Sequence, residues 1–243
     1  MTAETPRIAL ITGANKGIGF EIARQFGAQG MTVLIGARDS SRGQAAVERL
    51  QAEGATAHVV PIDVTETASI TAAARTIEAE WGRLDILVNN AGILLDTVAP
   101  SQLDHATFER TYATNVYGVF AVTQAMLPLL RLSKSARIVN MSSGLGSLTW
   151  TSDQTHQWSQ IILAAYNSSK AAVNALTVQF ANELRATSIK VNSADPGYCA
   201  TDLNGFTGPR SAAQGAQTAV RLATLPADGP TGGFFNDDGL APW

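Results

Sequence analysis

Short apolar runs alternate along this chain with longer stretches whose apolar residues recur every three or four positions, and few folds accommodate that alternation. Ile8-Ala9-Leu10-Ile11 reads as a buried strand, and Ile18, Ile22, Ala23 and Phe26 behind it mark one face of a helix. Residues 31–37 read as a second strand, followed by a helix with Ala46, Val47 and Leu50 facing inward. Residues 59–62 form a third, and Ile70, Ala74, Ile77 and Trp81 again carry helical spacing. Further strands are predicted at 84–88, 137–141 and 189–194, with long helices over 103–130 and 163–185. Near-continuous apolar strands separated by helices predict an α/β fold, a parallel sheet covered by helices on both faces. No linker-like stretch or internal repeat divides the chain, so residues 1–243 are read as a single domain. Segments 144–161 and 208–215 carry the least pattern.

Composition narrows the classes of partner. An apolar fraction of 45% excludes a disordered or collagen-like chain. Charged residues make up only 15%, against roughly 25% in soluble domains, which predicts much buried surface and room for a self-association face. Seventeen Lys and Arg against twenty Asp and Glu leave no basic excess to neutralise phosphates, so no nucleic-acid partner is expected. Cys199 is the only cysteine and cannot close an internal disulfide, which fits a reducing compartment. The first seven residues are polar, without the apolar core of a secretory leader, and no apolar run approaches a membrane span. A cytoplasmic protein with no membrane partner is expected. His58, His105 and His156 lack metal-ligand spacing, so no metal is expected, and no G-x-S-x-G elbow surrounds Ser142 or Ser143.

In an open α/β sheet, ligands bind beyond the carboxyl ends of the strands, so chemistry is sought there. The first strand ends in Gly13-Ala14-Asn15-Lys16-Gly17-Ile18-Gly19, a tight turn opening a helix whose N-terminal N–H groups suit a pyrophosphate. Alone, such a loop is weak evidence. After the second strand Arg38 precedes Asp39, and Lys16 can reach the same place; two cations there suit the 2′-phosphate of NADP. The competing reading leaves Arg38 in solvent and gives the ribose of NAD to Asp39. Asp63, followed by Val64, either accepts from an adenine or caps a turn near Thr65. Asn89-Asn90-Ala91-Gly92 lets backbone approach a cofactor closely, or simply stabilises the sheet edge. Tyr166 and Lys170 share a helix face at i and i+4, and a neighbouring cation favours a phenolate. Ser142-Ser143, at the end of the fifth strand, sets a hydroxyl across the crevice from that pair.

Taken in order, these motifs resemble the short-chain dehydrogenase/reductase family, over nearly the whole chain and with a Rossmann-type doubly wound sheet of about seven strands. Within it, Gly13-Ala14-Asn15-Lys16 and Ala37-Arg38-Asp39-Ser40-Ser41-Arg42 are most similar to NADPH-dependent carbonyl reductases. The resemblance implies reduction of an aldehyde or ketone by NADP(H) through a tetrad of Asn115, Ser143, Tyr166 and Lys170. Tyr166 would give the proton and Ser143 would polarise the carbonyl. Lys170 would hold the nicotinamide ribose and lower the tyrosine pKa, and Asn115 would anchor a proton-relay water. Pro196, Gly197, Cys199 (through its backbone) and Thr201 would line the nicotinamide side. Oxidation of a secondary alcohol, or NADPH sensing without turnover, are the competing functions. Relative to the family's commonest pattern the chain carries an insertion at 149–163, which makes a monomer or homodimer the expectation in place of a tetramer. Trp150 and Trp158 in it either wall a pocket for bulky apolar ketones or pack the insertion onto the body, and Tyr198 could line the same pocket.

Overall fold

The computed structural model describes residues 6–243, so the reading of the N-terminus as leaderless falls mainly outside the described residues. Strand β1 (Ile8–Thr12) is buried along its length, and its alternating side chains divide between two cores. Ala9 and Ile11 face helices α1 (Gly17–Ala28), α2 (Ser40–Ala52) and α8 (Ala212–Ala223). Ile8 and Leu10 face α3 (Thr67–Trp81), α5 (Gly118–Leu130) and α7 (Ala164–Glu183). A strand buried on both faces has no polar side to alternate with, which is why these segments read as continuous apolar runs.

The remaining strands are β2 (Thr32–Ala37), β3 (Thr56–Pro61), β4 (Ile86–Asn89), β5 (Arg137–Met141), β6 (Lys190–Ala194), β7 (Phe234–Asn236) and β8 (Gly239–Leu240). They lie in the order β3-β2-β1-β4-β5-β6-β7-β8, parallel except for the last pair. This is the doubly wound α/β sheet expected, with eight strands in place of about seven because a two-residue antiparallel strand returns along β7. The third strand begins three residues before the predicted 59–62, since an edge strand with exposed Thr56 and His58 lacks a continuous apolar run. The fourth begins at Ile86, not Leu84. The order reverses between β1 and β4, so the loops after these two strands leave toward opposite faces and open a crevice at the sheet's carboxyl edge.

The predicted helix 103–130 is continuous from His105, but it is not uniform. Helix α4 (His105–Tyr112) passes into a π-helical turn at Ala113–Tyr117 before α5. Its length and mean hydropathy of 1.2 would allow a membrane crossing, yet half of the stretch is buried, with Val122, Met126 and Leu130 in the core beneath the sheet. Beneath the site, a buried hydrogen-bond chain ties β4, β5 and β6 to α5 and α7. Asn89 donates to Thr123 and Asn140, Asn140 donates to Thr177, and Thr177 meets Ser193 at 2.8 Å. The chain favours one packing, because a slip would leave further buried groups unpaired beside Asn89 Oδ1, which already has no partner.

Candidate active site

The loop after β1 turns through Gly13 and Gly17, with φ of 66° and 59°. At Gly19 a Cβ would stand 2.4 Å from Asn90 Nδ2, so glycine there permits the loops after β1 and β4 to touch. Asn90 Nδ2 donates to the Thr12 carbonyl at 2.9 Å, and the Thr12 hydroxyl accepts the N–H groups of Asn90 and Ala91 at 3.0 Å. The Asn–Asn pair thus serves both readings: Asn89 braces the sheet and Asn90 shapes the crevice. Helix α1 opens from half-buried Asn15 and exposed Lys16 with no side-chain cap, leaving the N–H groups of Gly17, Ile18 and Gly19 directed into the crevice. Ile18 packs toward α8, and Val64 packs on Gly118. An uncapped, glycine-shaped helix start on a topological switch point fits the pyrophosphate of a dinucleotide.

The expected partners of the adenosine end divide. Asp39 is occupied as the N-cap of α2, accepting the Arg42 N–H at 3.0 Å and pairing with the Arg42 guanidinium at 3.3 Å. Arg38 is exposed and has no carboxylate within ion-pair distance among the described residues. Lys16, expected beside it, instead pairs with Asp202 on the far side of the crevice. Asp63 makes the turn contact, taking both the N–H and the hydroxyl of Thr65 through Oδ1, at 2.9 and 2.7 Å. These bonds hold its carboxyl below the usual range, and nearby Arg38 adds to the effect.

Opposite the glycine loop, Tyr166 and Lys170 lie buried on the first two turns of α7. Ser143 lies close enough to the Tyr166 phenol to favour its phenolate form, while Ser142 is buried with its hydroxyl on the Lys170 carbonyl at 3.3 Å. Ser143 therefore faces the site and Ser142 supports it. Lys170 Nζ stands 5.6 Å from the Tyr166 ring centroid and donates to the Met141 carbonyl at 2.8 Å. Burial pushes Tyr166 up to about 12, against the smaller opposite effect of Ser143. Burial likewise pulls Lys170 down to about 8. The expected lowering of the tyrosine by Lys170 together with the positively charged nicotinamide concerns the cofactor-bound site; without the dinucleotide, desolvation in the low-dielectric interior is the largest influence on the phenol. Asn115 lies in the π-helical turn and spends both amide hydrogens on the protein, donating to Ile93 O at 2.9 Å and Ser169 Oγ at 3.0 Å. Its oxygen accepts the Ile93 N–H and keeps one lone pair. A Cβ at Gly92 would lie 3.5 Å from that oxygen and 3.6 Å from Lys170 Nζ, so the absent side chain leaves ground between them.

The lysine shift has a consequence for stability. Between about 8 and 10.5 the unfolded chain binds a proton at Lys170 that the native state does not, so stability rises with pH across that window. The gain is complete above the unfolded pKa and is lost as pH falls through the folded one. In Lys170→Met the slope disappears: the difference in unfolding free energy between the two proteins should change by about 3 kcal/mol from neutrality to pH 10.5. Urea titrations along a pH series measure this, and a pH-independent difference would show that Lys170 titrates as an ordinary ammonium.

The insertion is ordered as helix α6 (Leu148–Ser152) and a 3-10 turn at Gln157–Gln160. Trp150 stacks on His156 at 5.2 Å and leans on Phe234 at 6.3 Å, so it packs the insertion onto the body. Trp158 lies against His156 within the insertion and also reaches the loop after β5. Its Nε1 lies 2.7 Å from where a Gly144 Cβ would be, which sets the indole over the residue next to Ser143. Tyr198 is exposed and its hydroxyl meets Thr207. Beyond β6, Gly197 takes φ of 70°, Cys199 is buried with its thiol on the Pro196 carbonyl at 3.2 Å, and Thr201 faces Gly17 across the crevice. Burial pushes the Cys199 thiol up, as expected of a packing residue.

Two residues here escaped the sequence reading. Asp195 is buried at the end of β6, with Oδ1 on the Gly197 N–H at 2.9 Å. Burial pushes its carboxyl up, and its charge in turn raises Tyr166. A carboxylate just after a strand end was visible to the strand-end rule but was overshadowed by Pro196-Gly197. Asp96 is buried and touches α7, a contact with no local pattern to announce it.

A doubly wound parallel sheet with a glycine-shaped, uncapped helix start and a buried tyrosine–lysine–serine cluster defines a class, the dinucleotide-dependent α/β oxidoreductases. Comparison narrows it, and the chain belongs to the short-chain dehydrogenase family, whose model matches residues 7–211. It is 40% identical to short-chain dehydrogenase anuI of Penicillium roqueforti, over 92% of this chain and 91% of that one. It is 35% identical to (+)-neomenthol dehydrogenase of Arabidopsis thaliana, covering 97% and 98%. Among solved structures, NADPH-bound carbonyl reductase from chicken fatty liver superposes with a TM-score of 0.86 at 28% identity, covering 99% of this chain and all of that one.

Proposed function

We propose that this oxidoreductase reduces the carbonyl of an apolar aldehyde or ketone with NADPH. One observation carries the reading: a buried tyrosine phenol beside Ser143, with Lys170 Nζ on the same helix face 5.6 Å from its ring centroid. When bound, the dinucleotide supplies the hydride. The N–H groups at the start of α1 would hold its pyrophosphate, Arg38 its 2′-phosphate, Lys170 its nicotinamide ribose, and the Pro196–Thr201 backbone its nicotinamide side. Ser143 Oγ accepts the Leu145 N–H at 3.2 Å, and its hydroxyl proton, which favours the phenolate at rest, would turn to a substrate carbonyl oxygen. Tyr166 Oη gives its proton to that oxygen as the carbon is reduced. Lys170 Nζ, lowered to about 8 by burial, would return a proton to the phenolate and be refilled from the ground between it and Asn115 Oδ1. A phenol resting as the protonated acid favours reduction over alcohol oxidation, which needs the phenolate. The indole of Trp158 beside Ser143 supports an apolar substrate wall. The name of the chicken fatty liver structure supports NADPH, the lone Cys199 supports a reducing, cytoplasmic setting, and the insertion at 149–163 supports a monomer or homodimer.

The test is NADPH oxidation by purified protein across a panel of aldehydes, cyclic ketones and diketones. Turnover on at least one class, slower with NADH, is the expected result; tight NADPH binding with no turnover on any would favour a cofactor-sensing protein.

A further inference from the structure

Helix α7 begins at Ala164 with orphan N–H groups in its first turn, and Leu163 before it brings no capping side chain. The cap comes from a distant part of the chain. Asp96, in the loop after β4, accepts the Ala165 N–H through Oδ2 at 3.0 Å and the Tyr166 N–H through Oδ1 at 2.8 Å. Its carboxylate is buried and both oxygens are used on these two donors, the arrangement that makes a charge-assisted bond short and directional. The other end of the Tyr166 peptide is held too, since its carbonyl accepts the Ser169 hydroxyl at 2.7 Å and Asn115 donates to that hydroxyl at 3.0 Å. Asn115 also clamps Ile93, three residues before Asp96, by two hydrogen bonds of 2.8 and 2.9 Å. Segment 93–96 is thus a strut: one end is fixed to the π-helical turn and the other to the backbone of the tyrosine. The same segment continues directly from Asn90-Ala91-Gly92, which touches the glycine loop.

We infer that Asp96 is a positioning residue for the proton donor, its carboxylate setting where the Tyr166 phenol stands relative to Ser143 and the bound dinucleotide. This rests on the reading of Tyr166 as the proton donor. A first turn held at only one N–H can tilt, and a displacement of about 1 Å at a reacting group costs up to about a hundredfold in rate. A cap that served stability alone would lower the melting temperature without singling out the chemical step.

Asp96→Asn keeps the shape and one acceptor, and removes the second acceptor and the charge. Single-turnover NADPH oxidation at saturating ketone should slow by about tenfold to a hundredfold, with the KM of the ketone and the Kd of NADPH within about threefold of the parent. In a Tyr166→Phe background the same change should slow the residual rate no further, because a residue that acts through the phenol has nothing left to position. Undiminished turnover in Asp96→Asn, the same factor lost in both backgrounds, or KM and Kd rising together with the rate loss would each overturn the inference. Should the Asn variant not fold, Asp96→Glu decides: slowed turnover with NADPH affinity kept supports the strut, and parental turnover removes it. If Tyr166→Phe itself turned over like the parent, the proton-donor reading would fail first. If that variant is slow and Asp96→Asn is not, only the role of Asp96 falls.

Discussion

Tyr166→Phe should bind NADPH as tightly as the parent and reduce carbonyl substrates at least about a hundredfold more slowly. The substitution removes one oxygen from a ring that is buried on α7, so the packing of that helix is retained. What disappears is the phenolic proton, and water replaces it poorly because the ring is buried. KM should change little, since Ser143 still offers its hydrogen bond to a carbonyl oxygen. Steady-state assays and fluorescence titration measure the two quantities. A variant with parental turnover would take Tyr166 out of the chemistry and leave the cluster as a structural feature.

Arg38→Ala should weaken NADPH binding by about tenfold to a hundredfold and NADH binding by less than about threefold, the difference being a charge-assisted contact to the 2′-phosphate. The structure sharpens this expectation beyond the sequence. Asp39, the acid that would favour a ribose hydroxyl, is committed to capping α2 and pairing with Arg42. Arg38 stands exposed without a carboxylate partner among the described residues, next to an Asp63 whose Oδ1 is taken by Thr65. Lys16 is paired with Asp202, so its ammonium would have to leave that exposed ion pair to reach the 2′-phosphate. Equal losses for the two dinucleotides would show that Arg38 reads no phosphate.

How far the sequence reaches depends on where each signal is stored. Strands β1, β2, β5 and β6 were legible because burial on both faces writes itself as unbroken apolar runs. Edge strand β3 was clipped, and the short β7 and β8 were not located, because partial exposure removes that signature. The glycine loop and the tyrosine–lysine pair were legible because each is a local spacing that a turn or one helix face imposes. Asn115 was placed, yet the π-helical turn that aims it at Ile93 was not, as backbone hydrogen-bond slippage leaves no residue pattern.

The layered α/β sheet, the crevice at its carboxyl edge and most of the residues gathered there are legible along the chain, since periodicity and motif spacing are properties of neighbouring positions. The folded chain alone sets which serine lies by the phenol, that Trp158 sits beside Gly144 while Trp150 packs on Phe234, and that Lys16 turns to Asp202. It also sets the acidities of Tyr166 and Lys170 and the hold of Asp96 on α7. Desolvation and hydrogen bonds between segments some 70 residues apart depend on what the folded chain brings together, and nothing local encodes them.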